Sequence, residues 1–125
     1  MIDQKHIGYA PPPILWDVEK GRIAFFAKVI GLTDPIHTDE AAAKAAGYRG
    51  IVAPPTFIFG APGDSGETMK LIETLEIDLG KVLHGEQRFD YHAPVCAGDT
   101  LRFQSKVSDI YDKKGGALEF VVNDT

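Results

Sequence analysis

The chain has 125 residues, 44% of them apolar and 25% charged, with a formal net charge of −5; this is the size and balance of one globular domain, and the negative charge argues against nucleic acid as partner. A single cysteine, Cys96, excludes an internal disulfide and a cysteine-based zinc site. No apolar run approaches the roughly 20 residues of a membrane span and no cationic, apolar leader opens the chain, so the expectation is a cytoplasmic protein that engages no membrane.

Residues 1–13, with Pro11-Pro12-Pro13, cannot be a regular helix because proline lacks the amide donor. They read as an extended lead-in, with His6 in a mobile segment. Ile14, Trp16 and Val18 alternate as one face of a short strand. From Glu19 to Ile30 the period lengthens: Ile23, Phe26, Ala27 and Ile30 form a helical stripe, and Gly31 suits its C-terminal cap. Asp34-Pro35-Ile36-His37 is a short polar turn. Thr38 and Asp39 are good N-caps for an alanine-rich helix closed by Gly47.

In Ile51–Phe59, Pro54 and Pro55 can begin a helix but not lie inside one, which predicts a buried apolar helix from about Pro55. Gly60 to Gly66 reads as a flexible loop and Glu67–Leu75 as another helix. Beyond Gly80 three strands are predicted, over 82–92, 100–111 and 117–122, with Asp112–Gly116 as a hairpin connection. In the middle strand Leu101, Phe103 and Val107 face one way and Arg102, Gln104 and Lys106 the other. The whole is an α+β layout in one domain, residues 1–125, whose sheet looks one strand short at its C-terminal edge.

Four segments carry a resemblance: F-A-K-V-I-G-L-T-D-P-I-H-T-D-E-A-A-A-K-A-A-G-Y (26–48), I-V-A-P-P-T-F (51–57), L-H-G-E-Q (83–87) and Y-H-A-P-V-C-A-G-D-T-L (91–101). Together they resemble the MaoC-like acyl dehydratases, and most closely the N-terminal-type dehydratase domain. The resemblance implies the hot-dog fold, an antiparallel sheet wrapped around a central helix. It also implies a hydratase or dehydratase interconverting enoyl and 3-hydroxyacyl thioesters of coenzyme A or acyl carrier protein, with no metal or redox cofactor. In active relatives a D-x-N-P-I-H loop holds the water that adds across the double bond. His37 falls on its histidine, Leu32 on its aspartate and Asp34 on its asparagine. The glycine amide that binds the thioester carbonyl corresponds to Pro54, which has no hydrogen to donate. Losing such a donor typically costs about 10²–10³ in rate.

Two readings follow. In the first, His37 is the acid/base and Asp34 orients it or the water, with Pro55, Thr56, Phe57, His84 and Gly85 along the acyl chain. In the second, the chain is a non-catalytic acyl-binding subunit or half-domain whose hot-dog partner supplies the missing groups. Each residue also has a purely structural account: His37 as a loop histidine, Asp34 as a turn residue before proline, His84 as a buried strand histidine, and the phenylalanines Phe25, Phe26, Phe57 and Phe59 as core. A hot-dog thioesterase would need a carboxylate on the central helix, and Pro55–Gly60 carries none. Domains of this type pair, so a homodimer or a heterodimer with another hot-dog subunit is expected.

Overall fold

The computed structural model describes residues 1–125. Its contacts define two units, one made of Met1–Ile14, Pro62–Gly85 and Arg102–Thr125, the other of Leu15–Ala61 and Glu86–Leu101. The architecture is α+β, with strands β1 (Ile14–Asp17), β2 (Thr100–Phe103), β3 (Lys106–Lys113) and β4 (Leu118–Asp124) and helices α1 (Lys20–Val29), α2 (Glu40–Ala45), α3 (Ala61–Asp64) and α4 (Glu67–Thr74). β1 pairs with β2, and β3 with β4.

In the first unit β3 and β4 form an antiparallel hairpin in which Ile110 faces Val121 and Tyr111 faces Phe120. The last pair stacks at 4.9 Å between centroids, the cross-strand aromatic contact that pins a register. Val107 and Ile110 bury themselves with Leu75 of the helix end, flanked by Tyr9, Leu71 and Val121. The N-terminal lead-in is less free than its prolines suggest. It contains a 3₁₀ turn at Gln4–His6, and the Gly8 amide and Tyr9 carbonyl bond to the two backbone groups of Val107.

The second unit follows the local signals closely. α1 buries Ile23 and Ala27, as its stripe predicts, whereas Ile30 is exposed. Both α1 and α2 end in the Schellman motif, with a left-handed glycine at the turn. Leu32 N–H bonds Ala27 O and Gly31 N–H bonds Lys28 O; Tyr48 N–H bonds Ala43 O and Gly47 N–H bonds Lys44 O. Asp39, not Thr38, is the N-cap of α2, its carboxylate accepting from the Ala42 amide at 3.0 Å.

Three expectations are corrected. No strand forms over 82–92; only a 3₁₀ turn, Leu79–Lys81, precedes an irregular, mostly exposed stretch, because alternation alone makes no strand without a partner to pair with. The strand expected over 100–111 is two, broken at Gln104 and Ser105. Ser105 is 2% exposed, and its hydroxyl donates to a Glu67 carboxylate oxygen at 2.5 Å, so the break places a polar group that an ordinary ladder position would not. The helix expected from Pro55 starts as a 3₁₀ turn, Phe57–Gly60, and runs straight into α3 through the supposed loop. Pro62 is tolerated there because it lies in the first turn of α3, which ends at Asp64; Gly66, with φ of +78°, then stands as the N-cap of α4.

Candidate active site

The turn carrying His37 is built locally. Asp34 caps it, one carboxylate oxygen accepting the Ile36 amide at 3.0 Å, and Pro35 fixes the first backbone angle. Thr38 and Asp39 both return amide bonds to Pro35 O. The turn is then clamped to Val52 from two sides. The Val52 amide donates to Ile36 O at 2.9 Å, and His37 Nδ1 lies 2.6 Å from Val52 O. A carbonyl can only accept, so Nδ1 is the donor of this contact, and it is Nε2 that can hold a free lone pair for proton transfer. His37 is 8% exposed, which holds the ring in that orientation.

Val52 is itself held in place. It bridges Cys96, while the Ala53 amide donates to Val95 O and the Ala97 amide to Ile51 O, each at 2.8 Å. The turn after Cys96 closes on Asp99, whose carboxylate takes two contacts from Arg49 Nη2 at 2.6 and 2.8 Å and the Cys96 amide at 2.9 Å. Burial pushes the Asp99 carboxyl upward, but the Cys96 amide and the Arg49 guanidinium outweigh it and hold the group below its usual range. His37 therefore sits at the end of a chain of backbone contacts anchored by an ion pair. The pairing of Asp99 with Arg49, fifty positions away, leaves no mark on local spacing.

The other predicted residues are dispersed. Asp34 is exposed and engaged as a cap. Ala53 spends its amide on Val95, and Pro54 and Pro55 have none, so residues 53–55 offer no donor to a thioester carbonyl. Pro55 and Thr56 are exposed while Phe57 is buried. Phe57 is wedged between Trp16, at 5.2 Å between centroids, and Phe26, at 5.6 Å and edge-on. His84 and Gly85 belong to the first unit, and both are exposed and outside any strand, which corrects the buried strand position expected for His84.

Two cavities open in the second unit. The first, about 580 Å³, is lined by Trp16, Phe25, Phe26, Phe57 and Phe59 with Thr56 and Arg22 at their side. The Arg22 guanidinium lies 5.5 Å from the centre of the Trp16 ring, within cation–π range. The second, about 650 Å³, is lined by Phe25, Lys28, Leu32, Thr33 and Thr38. Of these residues only Thr56 and Phe57 were named from the sequence as substrate-binding. The helical stripe of Ile23, Phe26, Ala27 and Ile30 was visible, but not that Phe25 and Lys28 on the same helix border a cavity.

The family described as "FAS1-like, dehydratase domain region" matches residues 5–125. A UPF0336 protein of Streptomyces avermitilis is 36% identical over 115 residues, covering 91% of this chain and 77% of that one. A UPF0336 protein of Saccharopolyspora erythraea is 38% identical over 115 residues, covering 91% and 74%. Among solved structures, the C-terminally truncated HadBC (3R-hydroxyacyl-ACP dehydratase) complex of Mycobacterium tuberculosis contains a chain similar at a TM-score of 0.73 and 28% identity, covering 94% of this chain and 82% of that one. A MaoC-like dehydratase is similar at a TM-score of 0.76 and 26% identity, over 88% of this chain and 34% of the other. The shared fold is the hot-dog fold.

Proposed function

Since the chain belongs to the FAS1-like dehydratase-region family, we propose that it works in the interconversion of enoyl and 3-hydroxyacyl thioesters, with His37 as the proton-transfer group. The observation that carries this reading is the His37 tautomer: with Nδ1–H bound to Val52 O at 2.6 Å, Nε2 is left as a base in a ring that burial keeps from turning. In the hydration direction Nε2 takes a proton from water as the oxygen bonds the β-carbon, and the imidazolium so formed returns that proton to the α-carbon. Dehydration is the reverse. Asp34 keeps one carboxylate oxygen on the Ile36 amide, which leaves the other to orient the water. The substrate is an acyl thioester of coenzyme A or of acyl carrier protein.

A second reading rests on a different observation, the lack of an amide donor at residues 53–55 together with leucine at position 32. In it the chain holds the acyl group and a second hot-dog subunit supplies the carbonyl donor and the aspartate. Similarity to a chain of a dehydratase complex named for two components supports it.

Loss of enoyl absorbance with a panel of trans-2-enoyl-coenzyme A and enoyl-carrier-protein substrates tests both. Turnover by the chain alone that falls by about 10²–10⁴ in His37→Ala, with an unchanged melting temperature, is the result expected of the first reading. Turnover that survives the substitution rules out His37. Turnover only when a catalytic hot-dog subunit is added supports the second.

A further inference from the structure

α1 is apolar on two opposite sides. Ile23 and Ala27 are fully buried, and at about 100° per residue Phe25 and Val29 each lie about 200° around the helix from them, 69% and 64% exposed. A surface helix ordinarily turns a polar side to water, and one that is apolar all round is covered on both sides. The same helix carries three cations, Lys20, Arg22 and Lys28, and no acid, in a chain whose net charge is −5. We propose that the outer face of α1 docks a helix of a different protein, one whose apolar stripe is flanked by carboxylates.

The shape of this face suits a helix. Phe25 is a shared wall of the two open cavities, so a partner helix laid across it would seat apolar side chains on either side of the ring, the ridge-into-groove packing of helix pairs. Phe59 in the first cavity and Leu32 in the second, both exposed, extend the apolar surface beyond α1. Aromatic residues so placed are the usual anchors of protein interfaces. The charge selects the partner. Arg22 is the one charged residue lining the first cavity and Lys28 the one lining the second, and both are cations. Lys20 and Arg22 moreover occupy the first turn of α1, where the helix dipole disfavours positive charge. Carboxylates set against them from outside would offset that cost. A second copy of the chain cannot supply them through the same face. In a two-fold pair each α1 would meet the other, and Arg22 and Lys28 would be opposed by the cations of an identical helix.

The test uses two dye-labelled helical peptides of about 16 residues, each with a leucine stripe at helical spacing, one with glutamates beside the stripe and the other with lysines. Fluorescence anisotropy should show saturable binding of the glutamate peptide, with Kd on the order of 10 µM, and binding about tenfold weaker, or less, of the lysine peptide. Lys28→Glu should weaken the glutamate peptide about fivefold and strengthen the lysine peptide, both effects fading at high salt. Phe25→Ala should weaken the glutamate peptide about tenfold with an unchanged circular dichroism spectrum, and Val29→Ser, at a second exposed position, should act in the same direction. Equal affinity for the two peptides, or binding untouched by Phe25→Ala and Val29→Ser, overturns the proposal. Sedimentation that shows a dimer of the wild type falling apart in Phe25→Ala assigns the face to a second copy. Phe25-dependent binding to phosphatidylglycerol vesicles with no peptide binding assigns it to a lipid surface. Either result also overturns the proposal. No thioester enters these measurements, so the docking face stands or falls apart from the dehydratase reading.

Discussion

His37 owes its tautomer to a backbone carbonyl 15 residues away, and that carbonyl is positioned by contacts running back to Asp99. Removing Asp99 should therefore act at a distance. Asp99→Ala strands the Cys96 amide, which belongs to a fully buried residue, and releases Arg49; a loss of about 2 kcal/mol is expected, read from urea midpoints. The sign with pH follows from the lowered Asp99 carboxyl. A group depressed in the folded state contributes stability above its unfolded value of about 3.9, and the contribution disappears as pH falls through the folded value. The gap between wild type and Asp99→Ala should accordingly be wide at pH 7 and shrink toward pH 3; a gap independent of pH would exclude the charged pair as its source. At this scale the sequence was readable for residues that announce themselves locally. Asp34 before Pro35 was legible as a turn cap and His37 as a candidate base, whereas Val52, an ordinary β-branched residue, carried no sign that its two backbone groups hold the site.

The elements were legible where their stop signals are local. Gly31 and Gly47 mark the ends of α1 and α2 because each must take a left-handed backbone, with φ of +76° and +92°. α4 ends in the same hydrogen-bond pattern, Ile77 N–H to Ile72 O and Glu76 N–H to Glu73 O, but with Glu76 at φ +54° in the glycine's place. Two substitutions of opposite sign follow. Gly31→Ala finds open space around the new Cβ yet must keep the left-handed angle, and should cost about 1 kcal/mol. Glu76→Gly relieves the same strain, partly offset by greater freedom in the unfolded chain, and should gain about 0.5–1 kcal/mol. Chemical denaturation of the two variants beside wild type checks both; a stabilised Gly31→Ala would contradict the strain argument. The elements that were misread depend on partners remote in sequence. Val82 to His92 alternates like a strand but has no strand beside it here, and the break at Ser105 answers to a buried carboxylate 38 residues earlier.

As a hot-dog member of a dehydratase family, the molecule is expected to pair with another hot-dog subunit, and its surface supports that expectation. Leu15, Phe25, Val29 and Leu83 are each 64–88% exposed, more large apolar surface than a solitary protein usually leaves in water. Light scattering should give a mass near twice 13.6 kDa, or that of a heterodimer when a second hot-dog subunit is present; 13.6 kDa under both conditions would count against pairing. The family and the α+β class were determined by the sequence itself, because helical and strand periods, capping residues and the turn around His37 are encoded within a few residues of where they act. What only the tertiary structure decided lies in contacts between residues far apart in the chain: the Val52 carbonyl that sets the His37 tautomer, the Arg49–Asp99 pair behind it, and the two cavities meeting at Phe25. Such contacts leave no mark on local spacing, since any of many carbonyls, carboxylates or rings could have filled those places until the backbone brought particular ones within reach.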